Sequence, residues 1–107
     1  MAVSAVPTTA TITLMDLPGT KYRLLKPIVA QIEPDSAGFV VSEQCTGVYH
    51  YDPDLAQSFA GFIRAFVGEF EFLESNESKL APAMMAELER FRALLQKREP
   101  DAATAAR

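Results

Sequence analysis

The stretch TGVYHYDPDLAQSF, Thr46 to Phe59, gathers the residues best suited to chemistry. His50 is the only histidine, set between Tyr49 and Tyr51, with Asp52 and Asp54 just after it. On a strand, alternate side chains share a face. Val48, His50 and Asp52 would then point one way, Tyr49 and Tyr51 the other. His50 and Asp52 could pair as a base and its orienting carboxylate. A working site also needs a substrate pocket and a second reacting group, and no other residues complete such a constellation. The simpler account is a solvent-facing histidine at a strand end, beside a helix cap. No catalytic residue is therefore assigned. Tyr49, His50, Tyr51 and Asp52 are kept as a candidate interaction surface.

The other reactive side chains are read the same way. Cys45 lies five residues before His50. A nucleophilic thiol needs a helix N-terminus or a basic cluster to lower its pKa, and neither is positioned there. A small buried or edge cysteine is the expectation. One histidine and one cysteine cannot build a zinc cage without several well-placed carboxylates, so no metal and no cofactor is expected. Asp52 and Asp54 are explained by helix capping, and Met84 and Met85 by core filling rather than a ligand groove. Lys21 and Arg23 share a strand face and could touch phosphate. They lack the aromatic and basic companions of an RNA-binding sheet. No glycine-rich phosphate loop and no HExxH motif is present.

Composition narrows the classes further. The chain has 107 residues, 49% hydrophobic and 22% charged, with a formal net charge of -4. The size suits one small domain with a modest core, to which a shared interface would add burial. An acidic chain repels phosphate backbones, which argues against direct nucleic-acid binding, and it attracts basic proteins. A single cysteine forms no internal disulfide and suits the cytoplasm. The opening MAVSAVPTTA lacks the basic and apolar segments of a signal peptide. No apolar run is long enough to cross a bilayer.

The elements that would position these residues follow from periodicity. Residues 1–9 and 99–107 read as tails around one domain at 10–98. TITLMDL (11–17) alternates as a short strand. Residues 21–33 alternate again, with Pro27 marking a break, bulge or edge. EPDSAG (33–38) should reverse the chain. FVVSEQC (39–45) then sets Phe39, Val41 and Glu43 on one face, and TGVYHY (46–51) forms the next strand, with Gly47 as a bend. The period changes to 3.6 near residue 54. Leu55, Phe59, Phe62, Ile63, Phe66, Val67, Phe70 and Leu73 form a helical stripe over 55–73. Asp54, with Gln57 three residues on, resembles a capping box. A second helix is expected over 82–97, with Pro82 in its first turn. Its stripe is Met84, Met85, Leu88, Phe91, Leu94 and Leu95. The fold class is α+β: an antiparallel meander of three to four strands, followed by two amphipathic helices packed on one face. Unguarded strands such as TITL and FVVS point to a homodimer.

The run KYRLLKPIVAQIEPDSAGFVVSEQCTGVYHYDPDLAQSFAGFI resembles the N-terminal domain of HicB-like antitoxins, and the likeness extends over roughly residues 21–73. That family looks like a truncated ribonuclease-H-like fold. Its strand, acidic turn, glycine and following strand are matched by IVAQIEPDSAGFVVS, and its third strand, polar cap and long helix by GVYHYDPDLAQSFAGFIRAFV. The resemblance implies a non-enzymatic antitoxin that binds a basic toxin. Two features depart from the pattern. DPD replaces the usual glycine-threonine entry to the helix. The second helix and short tail do not supply the family's ribbon-helix-helix or helix-turn-helix DNA-binding module. The ribonuclease carboxylate set is not recognisable either. Outside this reading stand a small enzyme or ligand-binding domain using His50, and a homodimeric accessory protein.

Overall fold

A computed structural model describes residues 9–98. Apart from Thr9, the expected tails lie outside the described residues. Six strands and two α-helices run in the order β1 (Ala10–Leu14), β2 (Tyr22–Leu24), β3 (Ile28–Asp35), β4 (Gly38–Glu43), β5 (Tyr49–Asp52), α1 (Leu55–Ser75), α2 (Pro82–Leu94) and β6 (Leu95–Lys97). A single 3-10 turn at Glu77–Lys79 separates the helices. The main sheet is antiparallel throughout, in the spatial order β1-β3-β4-β5. The fold is thus the α+β arrangement expected, a four-stranded antiparallel sheet with two helices following and packed against it.

Register explains which side chains enter the core. Ile12 pairs with Ala30, Ile32 with Val41, and Val41 with His50. These positions, with Ile28, Phe39 and Glu43, form the sheet's helix-facing side. Period two sends Val29, Gln31, Glu33, Val40, Ser42, Tyr49 and Tyr51 to the other side. From α1, Phe62, Phe66, Phe70 and Leu73 are buried. From α2, Leu88, Phe91 and Leu94 join them. The rings of Phe66 and Phe91 meet at 5.1 Å, and Tyr22 meets Phe70 edge-on at 5.3 Å. Aromatic contacts across the elements thus carry much of the core. Met84 and Met85 pack against it, as core filling requires.

Local signals set the boundaries. The Asp54 carboxylate accepts the Gln57 N–H at 2.9 Å and caps α1. The reciprocal half of the capping box does not form, because the Asp54 N–H donates to Asp52 Oδ1 at 2.9 Å instead. The β3–β4 reversal is tighter than the EPDSAG cluster suggests: β3 runs on to Asp35, and only Ser36 and Ala37 make the turn, with Ser36 at φ 53°. Pro27 lies in the break between β2 and β3, so residues 21–33 are two strands in two different sheets.

The second helix stops at Leu94 rather than 97. Leu95 takes an extended conformation (φ -121°, ψ 145°) and starts β6, which pairs antiparallel with β2. Leu94 and Leu95 are both buried. A helix would turn adjacent side chains about 100° apart. Extending the chain at Leu95 buries its side chain while the backbone completes a ladder. Leu95 faces Leu24, and Gln96 Oε1 accepts two bonds from the Arg23 guanidinium, at 3.1 and 2.6 Å. Arg98, just beyond β6, donates to the Thr20 and Leu17 carbonyls and to Asp16 Oδ1. No helix of the described residues is long and apolar enough to cross a membrane.

Candidate functional site

The four candidate residues all lie on β5, and its alternation divides them between two faces. Tyr49 and Tyr51 stand on the outer face of the sheet, 69% and 43% exposed. Tyr49 lies opposite Ser42, and Tyr51 opposite Val40. The Tyr51 ring covers Gly38 so closely that a Cβ there would lie 2.6 Å from the phenol oxygen. Gly38 is buried, with the Tyr51 ring the nearest group over it. The sheet therefore uses a cross-strand aromatic to cover a glycine gap, while the far edge of the ring stays in solvent.

His50 and Asp52 point to the helix side. His50 is half-buried, and its ring sits where a Gly61 side chain would otherwise be. The expected solvent-facing histidine is therefore a packing residue between β5 and α1. Gly61 is the signal that could have revealed it: a glycine in an apolar helix stripe implies a close approach. Among the described residues no hydrogen bond joins His50 to Asp52, whose carboxylate holds the Asp54 N–H. Ser58, fully buried, places its hydroxyl 2.9 Å from the Phe39 carbonyl and 3.2 Å from the His50 carbonyl. It anchors α1 to β4 and β5 at once. A helical stripe of large apolar residues marks neither Ser58 nor Gly61.

Glu43, which alternation groups with Phe39 and Val41 on one strand face, is a second buried polar residue. Its carboxylate accepts the Cys45 N–H at 2.7 Å, the Thr46 N–H at 2.8 Å and the Thr46 hydroxyl at 2.6 Å. These bonds organise the β4–β5 connection, with Gly47 in the left-handed region at φ 76°. They satisfy a carboxylate that would be costly to bury alone. Cys45, expected buried or at an edge, is exposed in this connection. Lys21 and Arg23 are engaged within the fold, Lys21 with Glu71 at 3.6 Å and Arg23 with Gln96.

Among the described residues, shallow surface hollows include ones of about 270, 310 and 280 Å³. His50 lines none of them. The first, beside Gly47 and Tyr49, holds Glu69 of α1 and Glu87 of α2. Burial, with the neighbouring Glu87 carboxylate adding to it, raises the Glu69 pKa. The third lies by Gly19 and Glu71. There the Tyr22 hydroxyl donates to Glu71 at 2.8 Å. Burial and that bond push its pKa up to about 12. Among the described residues, no group of three or more His, Cys, Asp or Glu could hold a metal ion.

The outer sheet face remains the surface with the most distinctive chemistry. Its positions on the four strands carry two exposed tyrosines, Val29 and Val40, several small polar side chains, and only two charges, Glu33 and Asp35. No basic residue stands among them, and no element of the described residues covers them. Such a face can bind by aromatic contact and by attraction to cations. No family model matches the chain, and neither a curated protein nor a solved structure matches it.

Proposed function

We propose that the chain is a non-enzymatic interaction protein, antitoxin-like in the manner of the HicB-like family, working in the cytoplasm. Its outer sheet face binds a basic protein partner. One observation carries the reading: Tyr49 and Tyr51 stand exposed on a face whose only charges are carboxylates. Tyrosine presents a rigid apolar ring with a polar tip, the type of side chain that anchors protein interfaces. Its ring also accepts an arginine guanidinium over its face. Glu33 and Asp35 favour the same cation, and the net charge of -4 speeds its approach.

The test is co-purification with the basic protein encoded by the neighbouring reading frame, followed by titration. Wild type should bind it and relieve its toxicity on co-expression. Tyr49→Ala should weaken binding about tenfold or more, the scale of an interface anchor. Tyr49 is mostly exposed, so its melt should stay unchanged. A neighbour that neither harms growth nor binds the chain would refute the antitoxin reading. Unchanged binding in Tyr49→Ala would remove the tyrosine face from it.

A further inference from the structure

β1 ends the sheet, and among the described residues nothing pairs with its outer edge. Its sequence is ATITL, without charge or proline. All five residues are in unbroken register with β3, from Ala10 opposite Ile32 to Leu14 opposite Ile28, so no bulge turns the edge aside. Natural edge strands are normally blunted by one of these devices. At the other end of the sheet, β5 is guarded: it ends in Asp52, and Asp54 follows it into α1.

The helix layer also stops short of β1. α1 packs on β4 and β5, and Ile12, although on the helix-facing side, is 39% exposed. Ala10 beside it is exposed as well. Among the described residues, Ala10 and Ile12 are therefore left open on the core side of the sheet next to an unguarded backbone edge, while Leu14 packs against the core.

We propose that a second copy of this chain pairs through β1, antiparallel about a twofold axis at Ile12, to make one continuous eight-stranded sheet. The sequence fits itself in this register. Ile12 meets Ile12 on the helix side, Ala10 meets Leu14, and Thr11 meets Thr13 on the outer face. Threonine pairs and apolar pairs are favourable cross-strand neighbours. A closed twofold contact uses both β1 edges and leaves at the ends of the joined sheet only the β5 edges, which Asp52 guards. The absence of charge on β1 matters because each copy carries -4. This seam brings two acidic chains together with no carboxylate on the paired strands. The contact is independent of the partner-binding face of β5.

The register gives a sharp test. Thr11 and Thr13 are exposed and lie opposite Gln31 and Val29 within the chain, so charges there leave the fold intact. In the doubly substituted Thr11→Lys/Thr13→Lys chain, each introduced charge faces a like charge across the seam. In Thr11→Lys/Thr13→Glu, each faces its opposite. Sedimentation at micromolar concentration should give a dimer for wild type and for Thr11→Lys/Thr13→Glu. The double-lysine chain should dissociate on the order of tenfold more readily than the lysine–glutamate chain, as expected for two cross-strand pairs changed in sign. Circular dichroism should show all three folded. A monomeric wild type, or equal dimerisation of the two charged variants, would overturn the proposal.

Discussion

At the scale of single residues, the sheet and α1 are held at their spacing by small and polar side chains as much as by large apolar ones. Gly61 gives up its side-chain volume to the His50 ring, and Ser58 gives its hydroxyl to two strand carbonyls. A methyl at residue 61 would land within the imidazole, so Gly61→Ala should cost about 1–3 kcal/mol, the usual range for overpacking. That loss should exceed the gain of about 1 kcal/mol in helix propensity that alanine brings. Removing the ring should relieve it. His50→Ala/Gly61→Ala should be more stable than Gly61→Ala alone, measured by urea denaturation. Additive losses in the double variant would show that the ring and the glycine are not coupled. The alternation of residues 48–52 already placed His50 and Asp52 together and the tyrosines opposite. What alternation could not say is which face the helix would cover. That depends on residue 61, distant in sequence, so a histidine that reads as solvent-facing is a packing residue.

At the scale of elements, the two helices meet with an electrostatic penalty at one point. Glu69 of α1 and Glu87 of α2 face the same hollow, and burial together with Glu87 raises the Glu69 pKa. A folded-state pKa above the unfolded one means that the native state prefers Glu69 protonated. Its contribution is fully present below the unfolded value, near 4.5, and is lost as pH rises through the raised folded value. Glu77 acts in the opposite direction: Arg92, bonded to it at 2.8 Å, lowers its pKa, so its contribution is lost on acidification. Glu69→Gln should therefore stabilise the protein at pH 7 by about 0.5 kcal/mol, the scale of a like-charge pair on helices. The advantage should vanish at pH 4. Chemical denaturation at the two pH values checks this, and an advantage of equal size at both would mean that charge is not its cause. The helices themselves were legible because Asp54 caps one, Pro82 opens the other, and their stripes hold for several turns. Their mutual placement was not, because a stripe fixes which side of a helix is buried but not which partner buries it.

At the scale of the whole molecule, the C-terminal end of the described residues closes on the segment between β1 and β3. β6 pairs with β2, the Leu25 N–H donates to the Leu94 carbonyl at 2.7 Å, and the Arg98 N–H donates to Lys21 O at 2.7 Å. This ribbon is why residues 95–97 leave the helix, and it lay beyond helical periodicity because Leu95 continues the apolar stripe as well as it starts a strand. Three-residue strands are too short to be stable alone, so the ribbon persists only by sharing the main core, where Tyr22 and Leu95 are both buried. Leu95→Ala should then lower the stability of the entire domain by about 2–5 kcal/mol, as expected for truncating a buried leucine. A ribbon that belongs to the core unfolds with it, so fluorescence and circular dichroism should still report one shared transition at a lower midpoint. The amides of Leu25 and Arg98 in wild type should exchange about as slowly as those of β3 and β4, since all open in the same event. If Leu95→Ala left the global midpoint in place and only hastened exchange at Leu25 and Arg98, the ribbon would be a peripheral clasp that opens by itself, and the fold would be complete without it.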